Sequence, residues 1–249
     1  MRYSGIGVKG GLAPIGSVGE TPTLLDFVLA GMGGLGFDCR RRIRSALPST
    51  IFMKIKSAKF HLSAAAIDAC PAWLWREFAF VGRSNVGKSS LINMLSNKAG
   101  LAKVSAVPGK TQMINFFVMN EAWSLVDLPG YGFAKVTKHQ KFDFSLLIRD
   151  YLEQRENLAC VFVLIDSRHP PQRIDLDFVQ WIEGCGIRFM LVFTKSDKLS
   201  AGKAQANIDL FLEAAAPWRA TPPEVILTSI KTADGRIALL KAIERVLAG

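Results

Sequence analysis

The sequence predicts an α/β fold: a six-stranded, mostly parallel sheet with one antiparallel strand and helices on both faces. Three observations predict it. Short apolar runs alternate with longer helix-like segments from residue 77 to residue 247, the mark of parallel strands joined by helical crossovers. A glycine-bounded turn, Gly82-Arg83-Ser84-Asn85-Val86-Gly87-Lys88-Ser89-Ser90, stands between a strand-like run and a helix-like one. Polar motifs close several of the strand-like runs, and open α/β sheets bind ligands at the carboxyl ends of their strands.

The elements follow in order. Glu77–Val81 is apolar after its first residue and leads into the glycine turn; Lys88–Ser96 carries Leu91, Ile92, Met94 and Leu95 as a helix-like run. Met113–Met119 and Ala122–Val126 are separated by two residues, a link that only antiparallel pairing allows. Helix Lys138–Arg155, strand Ala159–Asp166, helix Gln172–Glu183 and strand Arg188–Thr194 come next. Helix Ala201–Ala214, strand Glu224–Thr228 and helix Gly235–Leu247 complete the order.

Residues 1–52 read differently. They hold 10 of the 21 glycines, no helical or strand period, and the cluster Arg40-Arg41-Arg42-Ile43-Arg44. Leu24 to Phe37 contains Asp26 and has no basic leader immediately before it, which makes a poor secretory signal. Glu20, Asp26 and Asp38 argue against a transit peptide. The expectation is an N-terminal extension over 1–52, disordered or not made, with Met53 as the native start and one domain over 53–249.

A chain of 249 residues holds one sizeable domain or two small ones, and 49% hydrophobic content is that of a globular protein. No run of 18 apolar residues exists, so no membrane span is expected. Net charge is +10, of which residues 1–52 supply +3, from six Lys/Arg against three Asp/Glu. The basic excess therefore extends through the rest of the chain and suits a polyanionic partner such as RNA. Cys39, Cys70, Cys160 and Cys185 show no Cys-x-x-Cys pairing, and His61, His139 and His169 are scattered. A reducing cytoplasm is the expected setting, with Cys160 a small core residue and no zinc site.

Gly82-x4-Gly87-Lys88-Ser89 is the phosphate-binding loop pattern. Glycine lets the chain wrap until several backbone N–H groups converge on one phosphate, and the following helix adds its positive end. Lys88 reaches the β- and γ-phosphates in such a loop, and the Ser89 hydroxyl binds Mg2+. Asp127-Leu128-Pro129-Gly130 closes the strand Ala122–Val126; Asp127 is placed to hold Mg2+ through water and the Gly130 N–H to sense the γ-phosphate. In Pro108-Gly109-Lys110-Thr111, Thr111 is the natural second hydroxyl for a cation that wants octahedral oxygen ligands.

Thr194-Lys195-Ser196-Asp197 follows the strand Arg188–Thr194. A carboxylate at Asp197 accepts both the N1–H and the N2 amino protons of guanine, a donor pair that adenine lacks, so GTP and GDP are the expected nucleotides. Lys195 lies along the base plane in this reading. Thr194 stands where many GTPases have Asn. Thr228-Ser229-Ile230 ends the last strand, with backbone N–H groups for guanine O6.

Together these segments resemble the EngB (YihA/YsxC) family of bacterial GTPases, of the translation-factor-related class. The likeness rests on Gly-Arg-Ser-Asn-Val-Gly-Lys-Ser-Ser-Leu-Ile-Asn from Gly82, Pro-Gly-Lys-Thr-Gln from Pro108, and Asn115-Phe116-Phe117. Asp-Leu-Pro-Gly-Tyr-Gly-Phe-Ala-Lys-Val from Asp127, Asp166-Ser-Arg168-His169-Pro170 with Asp175, and Thr194 to Leu199 extend it. It runs from about Lys54 to about Leu247. It implies a single Ras-like P-loop GTPase domain, a monomer that assists assembly of the large ribosomal subunit and is needed for normal cell division and septation.

The catalytic set read from the sequence is Lys88, Asn85 and Gly130. Tyr131 follows Gly130 where many small GTPases place Gln, so slow intrinsic hydrolysis is expected, completed by a partner or a cation. Related GTPases with Asn in the loop bind K+ beside the phosphates, which gives Asn85 two readings, a K+ ligand or a local loop cap. Arg83 is either a phosphate or partner contact or a solvated loop arginine. The segments from Lys103 to Thr111 and from Tyr131 to Lys141 are the expected switches, and within the second Lys135, Lys138 and Lys141 follow Gly132 as a basic run facing RNA or solvent. A GTP-gated septation module and a basic P-loop ATPase or nucleotide kinase are the competing readings; Asp197 counts against the last.

Overall fold

The computed structural model describes residues 53–103, 113–132, 138–218 and 221–249, with side chains of the helix at Lys138 described from residue 146. Residues 1–52, the segment with Gly109, Lys110 and Thr111, Lys135, and the side chains of Lys138 and Lys141 lie outside the described residues.

Strands β1 (Ala58–Ala64), β2 (Glu77–Gly82), β3 (Ile114–Met119), β4 (Trp123–Asp127), β5 (Leu158–Asp166), β6 (Phe189–Thr194) and β7 (Val225–Leu227) form one sheet in the order β1-β3-β4-β2-β5-β6-β7. From β4 to β7 every pairing is parallel. The β3–β4 hairpin is antiparallel, as its short link requires, and Asn120 and Glu121 take positive φ (52° and 53°) to turn it.

The sheet has seven strands rather than six, and β3 is its one antiparallel strand, running against both of its neighbours. The addition is β1, which pairs antiparallel with β3 at the sheet edge. Its side chains are buried only at its two ends, so it carries no apolar alternation, and its place comes from backbone pairing. Asn120 helps fix it: its Oδ1 accepts from the N–H groups of Lys56 (2.7 Å) and Ser57 (3.2 Å), and its Nδ2 donates to Lys54 O (2.8 Å).

The helices are α1 (Lys88–Ser96), α2 (Lys138–Gln154), α3 (Arg173–Gly184), α4 (Ala201–Ala215) and α5 (Arg236–Ala248). Strand periodicity sorts the core into two layers. On one face Phe78, Phe80, Phe162, Leu164 and Val192 pack against Leu91, Ile92 and Leu95 of α1 and Leu239, Ile243 and Val246 of α5. On the other, Ala79, Val81, Val161, Val163 and Phe193 pack against α2 (Ile148, Tyr151), α3 (Val179, Ile182) and α4 (Ile208, Phe211). Cys160 is buried in the first layer, and burial pushes its thiol up to about 12. No described helix is long and apolar enough to cross a membrane.

Candidate nucleotide site

β2 delivers the phosphate loop. Gly82 must be glycine because a Cβ there would stand 2.6 Å from the Leu164 carbonyl of β5. Asn85 then turns left-handed (φ 60°), and Gly87 (φ 115°) opens α1 with its carbonyl accepting from Leu91 N (2.9 Å). The start of α1 carries no side-chain cap and no acidic residue in its first turn. Its first-turn N–H groups, at Lys88, Ser89 and Ser90, thus have no side-chain acceptor from the cap position. Val86 turns inward and is buried in the core.

β4 brings Asp127 beside that turn. The Ser89 hydroxyl lies 3.4 Å from Asp127 Oδ2, while Asp127 Oδ1 is buried without a hydrogen-bond partner among the described residues. Desolvation raises the Asp127 pKa, opposed by the Lys88 charge and the Ser89 hydroxyl. Desolvation lowers the Lys88 pKa, opposed by Asp127. Two opposite charges thus lie buried together without fully compensating each other's lost hydration. Leu128 is fully buried and its N–H donates to Phe80 O (3.0 Å), which anchors the turn that follows. After Pro129, Gly130 presses against the loop: a Cβ on it would lie 3.1 Å from Ser84 N and 3.2 Å from Lys88 Nζ.

β6 and β7 supply the remaining segments. The buried Thr194 hydroxyl donates to Val86 O (2.7 Å), tying the end of β6 to the phosphate loop. Lys195, at φ 63°, donates to Asn85 O (2.7 Å) and Asp166 Oδ2 (2.8 Å). Ser196 N donates to Thr228 O (3.2 Å), and Thr228 N to Phe193 O (2.7 Å). The Ser229 hydroxyl donates to Asp197 Oδ1 (2.9 Å), and this bond leads in lowering the Asp197 pKa. Ile230 reaches back until its Cδ1 would be 3.6 Å from a Cβ on Gly87. The loop closes at Gly235, where φ is +77° and any Cβ would collide with the Leu227 carbonyl.

The structure therefore brings the phosphate loop, Asp127–Gly130, Thr194–Asp197 and Thr228–Ile230 to one end of the sheet. The donors of the α1 turn, the Lys88 ammonium and the orphaned Asp127 oxygen fit a phosphate with its divalent cation. Gly109, Lys110 and Thr111 fall outside the described residues.

Roles for two buried acids are not evident from sequence reasoning alone. Asp166 ends β5 and is chelated by Arg168, whose Nε and Nη2 donate to its two oxygens (2.9 and 2.8 Å), besides Lys195. Burial opposes its ionisation, but the Arg168 and Lys195 hydrogen bonds prevail and hold it well below the usual carboxylate range. Asp166, Arg168, His169 and Lys195 line a cavity of about 160 Å3 with Arg83–Val86. Asp175 sits in the first turn of α3, wholly buried, 3.0 Å from Arg83 Nε and 2.9 Å from the Tyr131 hydroxyl that donates to it. The available signals were an acid closing an apolar strand and an acid on the buried stripe of α3, in line with Val179 and Ile182.

Comparison with known proteins accords with this geometry. A family model described as a 50S ribosome-binding GTPase matches residues 77–195. The chain is 47% identical over 195 residues to a probable GTP-binding protein EngB of Bacteroides thetaiotaomicron, covering 78% of this chain and 96% of that one. It is 48% identical over 194 residues to its counterpart in Christiangramia forsetii, covering 78% and 98%. The crystal structure of a probable GTP-binding protein engB superposes with a TM-score of 0.57 at 25% identity, covering 69% of this chain and 98% of that one. The chain therefore belongs to the EngB family of GTP-binding proteins and is a GTP-hydrolysing enzyme.

Proposed function

We propose that this GTPase is a cytoplasmic, monomeric switch that assists assembly of the large ribosomal subunit and through it supports normal division and septation. The observation that carries the ribosomal part is the match of residues 77–195 to a family described as 50S ribosome-binding. The net charge of +10 agrees with an RNA-rich partner.

In this reading Gly82 to Ser90 wrap the phosphates, with backbone N–H groups as donors and the Lys88 ammonium on the β- and γ-oxygens. Ser89, Asp127 and Thr111 hold Mg2+, which when bound neutralises charge developing on the phosphates. Gly130 donates its N–H to the γ-phosphate, and Gly109 and Lys110 bind the nucleotide beside Thr111. Asp197 selects guanine through its N1–H and N2 protons, Lys195 lies along the base, and the Thr228–Ile230 amides face O6. Thr194 and Ser196 fix this loop through Val86 and Thr228.

Hydrolysis is slow in this reading because the position after Gly130 holds Tyr131 and not a Gln that could orient the attacking water. Tyr131, next after Gly130, donates its hydroxyl to Asp175 instead. K+ held at Asn85 is the proposed supplement, and equal rates in K+ and Na+ would remove it.

Co-sedimentation of the full chain with purified large ribosomal subunits tests the proposal. Retention with a non-hydrolysable GTP analogue and release with GDP is the expected result. No retention in either state overturns the ribosomal role and puts the septation module first. ATP is expected not to displace bound GTP; displacement would contradict the role given to Asp197.

A further inference from the structure

The segment after Gly130 is fastened on two sides. Its backbone joins the phosphate loop: Arg83 and Tyr131 form an isolated parallel bridge, Tyr131 N donates to Gly82 O (3.3 Å), and Ser84 N donates to Tyr131 O (3.3 Å). Its side chain joins α3. The Tyr131 ring stacks on Phe178 at 4.8 Å and 20°, and its hydroxyl donates to Asp175 Oδ1 (2.9 Å). Gly132 takes φ +82°, a conformation strained for any residue with a side chain, and packs beside the tip of Ile174.

Asp175 is the point where these connections meet. It is fully buried, lies near the positive end of α3, and faces Arg83 Nε at 3.0 Å with its second oxygen. That second contact is an ion pair without an aligned hydrogen bond, since neither Arg83 Nε nor Asp175 Oδ2 has a hydrogen-bond partner among the described residues. One carboxylate thus spans the phosphate loop, the residue after Gly130, and a helix outside the nucleotide site.

We propose that Asp175 is a positioning residue for the triphosphate state: through Tyr131 and Arg83 it holds Gly130 against Ser84 and Lys88, where a γ-phosphate is sensed. The inference rests on the assignment of Gly130 as that sensor. A group that only stabilises the fold affects both nucleotides alike. A group that places Gly130 affects GTP and spares GDP, because GDP has no γ-phosphate for Gly130 to meet.

The test measures dissociation constants of the full chain for GDP and for a non-hydrolysable GTP analogue, in the wild type, Asp175→Asn, Tyr131→Phe and Gly130→Ala. The GTP-analogue constant is expected to rise about tenfold in Asp175→Asn, with the GDP constant within about twofold of wild type. Tyr131→Phe moves the same ratio in the same direction by a smaller factor and stands in if Asp175→Asn does not fold. Ratios that stay at the wild-type value in both variants while Gly130→Ala shifts its ratio overturn the Asp175 proposal alone. A Gly130→Ala ratio equal to wild type overturns the sensor assignment and the proposal with it.

Discussion

Glu77 and Asp127 are buried carboxylates on neighbouring parallel strands, at opposite ends of the sheet. Glu77 begins β2. Its Oε2 accepts from the Tyr151 hydroxyl (2.7 Å) and Arg155 Nε (2.9 Å), and its Oε1 from Trp73 Nε1 (2.7 Å) and Arg155 Nη2 (2.6 Å). Arg155 also donates to Pro71 O (2.6 Å). Asp127 ends β4 with one long contact to Ser89 and, among the described residues, one oxygen with no partner. A buried ion is tolerable when its lone pairs are met and costly when they are not. The Glu77 carboxylate at the amino end of the sheet is therefore completed by the protein alone. The carboxyl end leaves donors, a cation and an acceptor to be completed by a ligand, so the same residue chemistry serves stability at one end and binding at the other.

The largest expected effect comes from breaking the completed end. Glu77→Ala removes the acceptor for Tyr151, Arg155 and Trp73 at once and leaves a guanidinium only 14% exposed without its carboxylate. Loss of one partner from such a pair costs about 3–5 kcal/mol, read as a fall in the urea midpoint at unchanged slope. The ratio of GDP to GTP-analogue affinities is expected to stay at the wild-type value. A loss below about 1 kcal/mol would mean that the network is ornamental and that the two ends do not differ in kind.

Asp127→Asn breaks the other end with the opposite outcome. The substitution removes an incompletely paired charge but also takes the counter-charge from the buried Lys88 ammonium, so the nucleotide-free protein is expected to stay within about 1 kcal/mol of wild type. Its affinity for GDP in Mg2+ falls about a hundredfold, equal to roughly 2.7 kcal/mol. Chelation of Mg2+ should bring the two proteins together. A destabilised variant with intact binding would show that Asp127 has a structural partner after all.

Thr194→Val probes the tie between the two halves of the site. The buried hydroxyl bridges to Val86 O at 2.7 Å and to Ile165 O at 3.3 Å. An isosteric methyl leaves Val86 O unpaired and costs about 1–2 kcal/mol. Because this bond sets the base-reading loop against the phosphate loop, GDP and GTP-analogue affinities should fall together by about fivefold. Unequal changes would assign Thr194 to phosphate sensing rather than to loop placement.

How much of this the sequence disclosed follows from what each feature is made of. The phosphate loop is local, and its glycines are dictated by backbone approach, so it could be read before any fold was known. The parallel strands were legible as apolar runs because both of their faces are buried. β1 was not, because its residues are mostly exposed and its register is borrowed from β3 and Asn120. The carboxylate bridges were hidden for another reason. Lys195 meets Asp166 across 29 positions and Tyr131 meets Asp175 across 44, so neither pairing leaves a local pattern. In isolation Asp175 reads as an ordinary acid in the first turn of a helix. Its place on the buried stripe of α3 is the departure from expectation, and such departures collect at functional sites.

The smallest expected effect, and the one that separates the two ends by sign, is the pH dependence of stability. Burial raises the Asp127 pKa in the nucleotide-free fold, so the folded state holds that proton more tightly than the unfolded chain. Stability from this group is then full below the unfolded value and declines as pH rises through the raised one. The stability of wild type minus that of Asp127→Asn isolates the term and should fall with rising pH, by at most about 1.4 kcal/mol per unit. Saturation with Mg2+ and GDP gives the carboxylate its missing partner and should lower its pKa. The same difference should then be full above the unfolded value and be lost as pH falls through the lowered one. Asp166 behaves like that second case already, because Arg168 and Lys195 hold it low without any ligand. A difference that rises with pH in the nucleotide-free protein would put a partner on Asp127 Oδ1 and make the carboxyl end as self-sufficient as the Glu77 end.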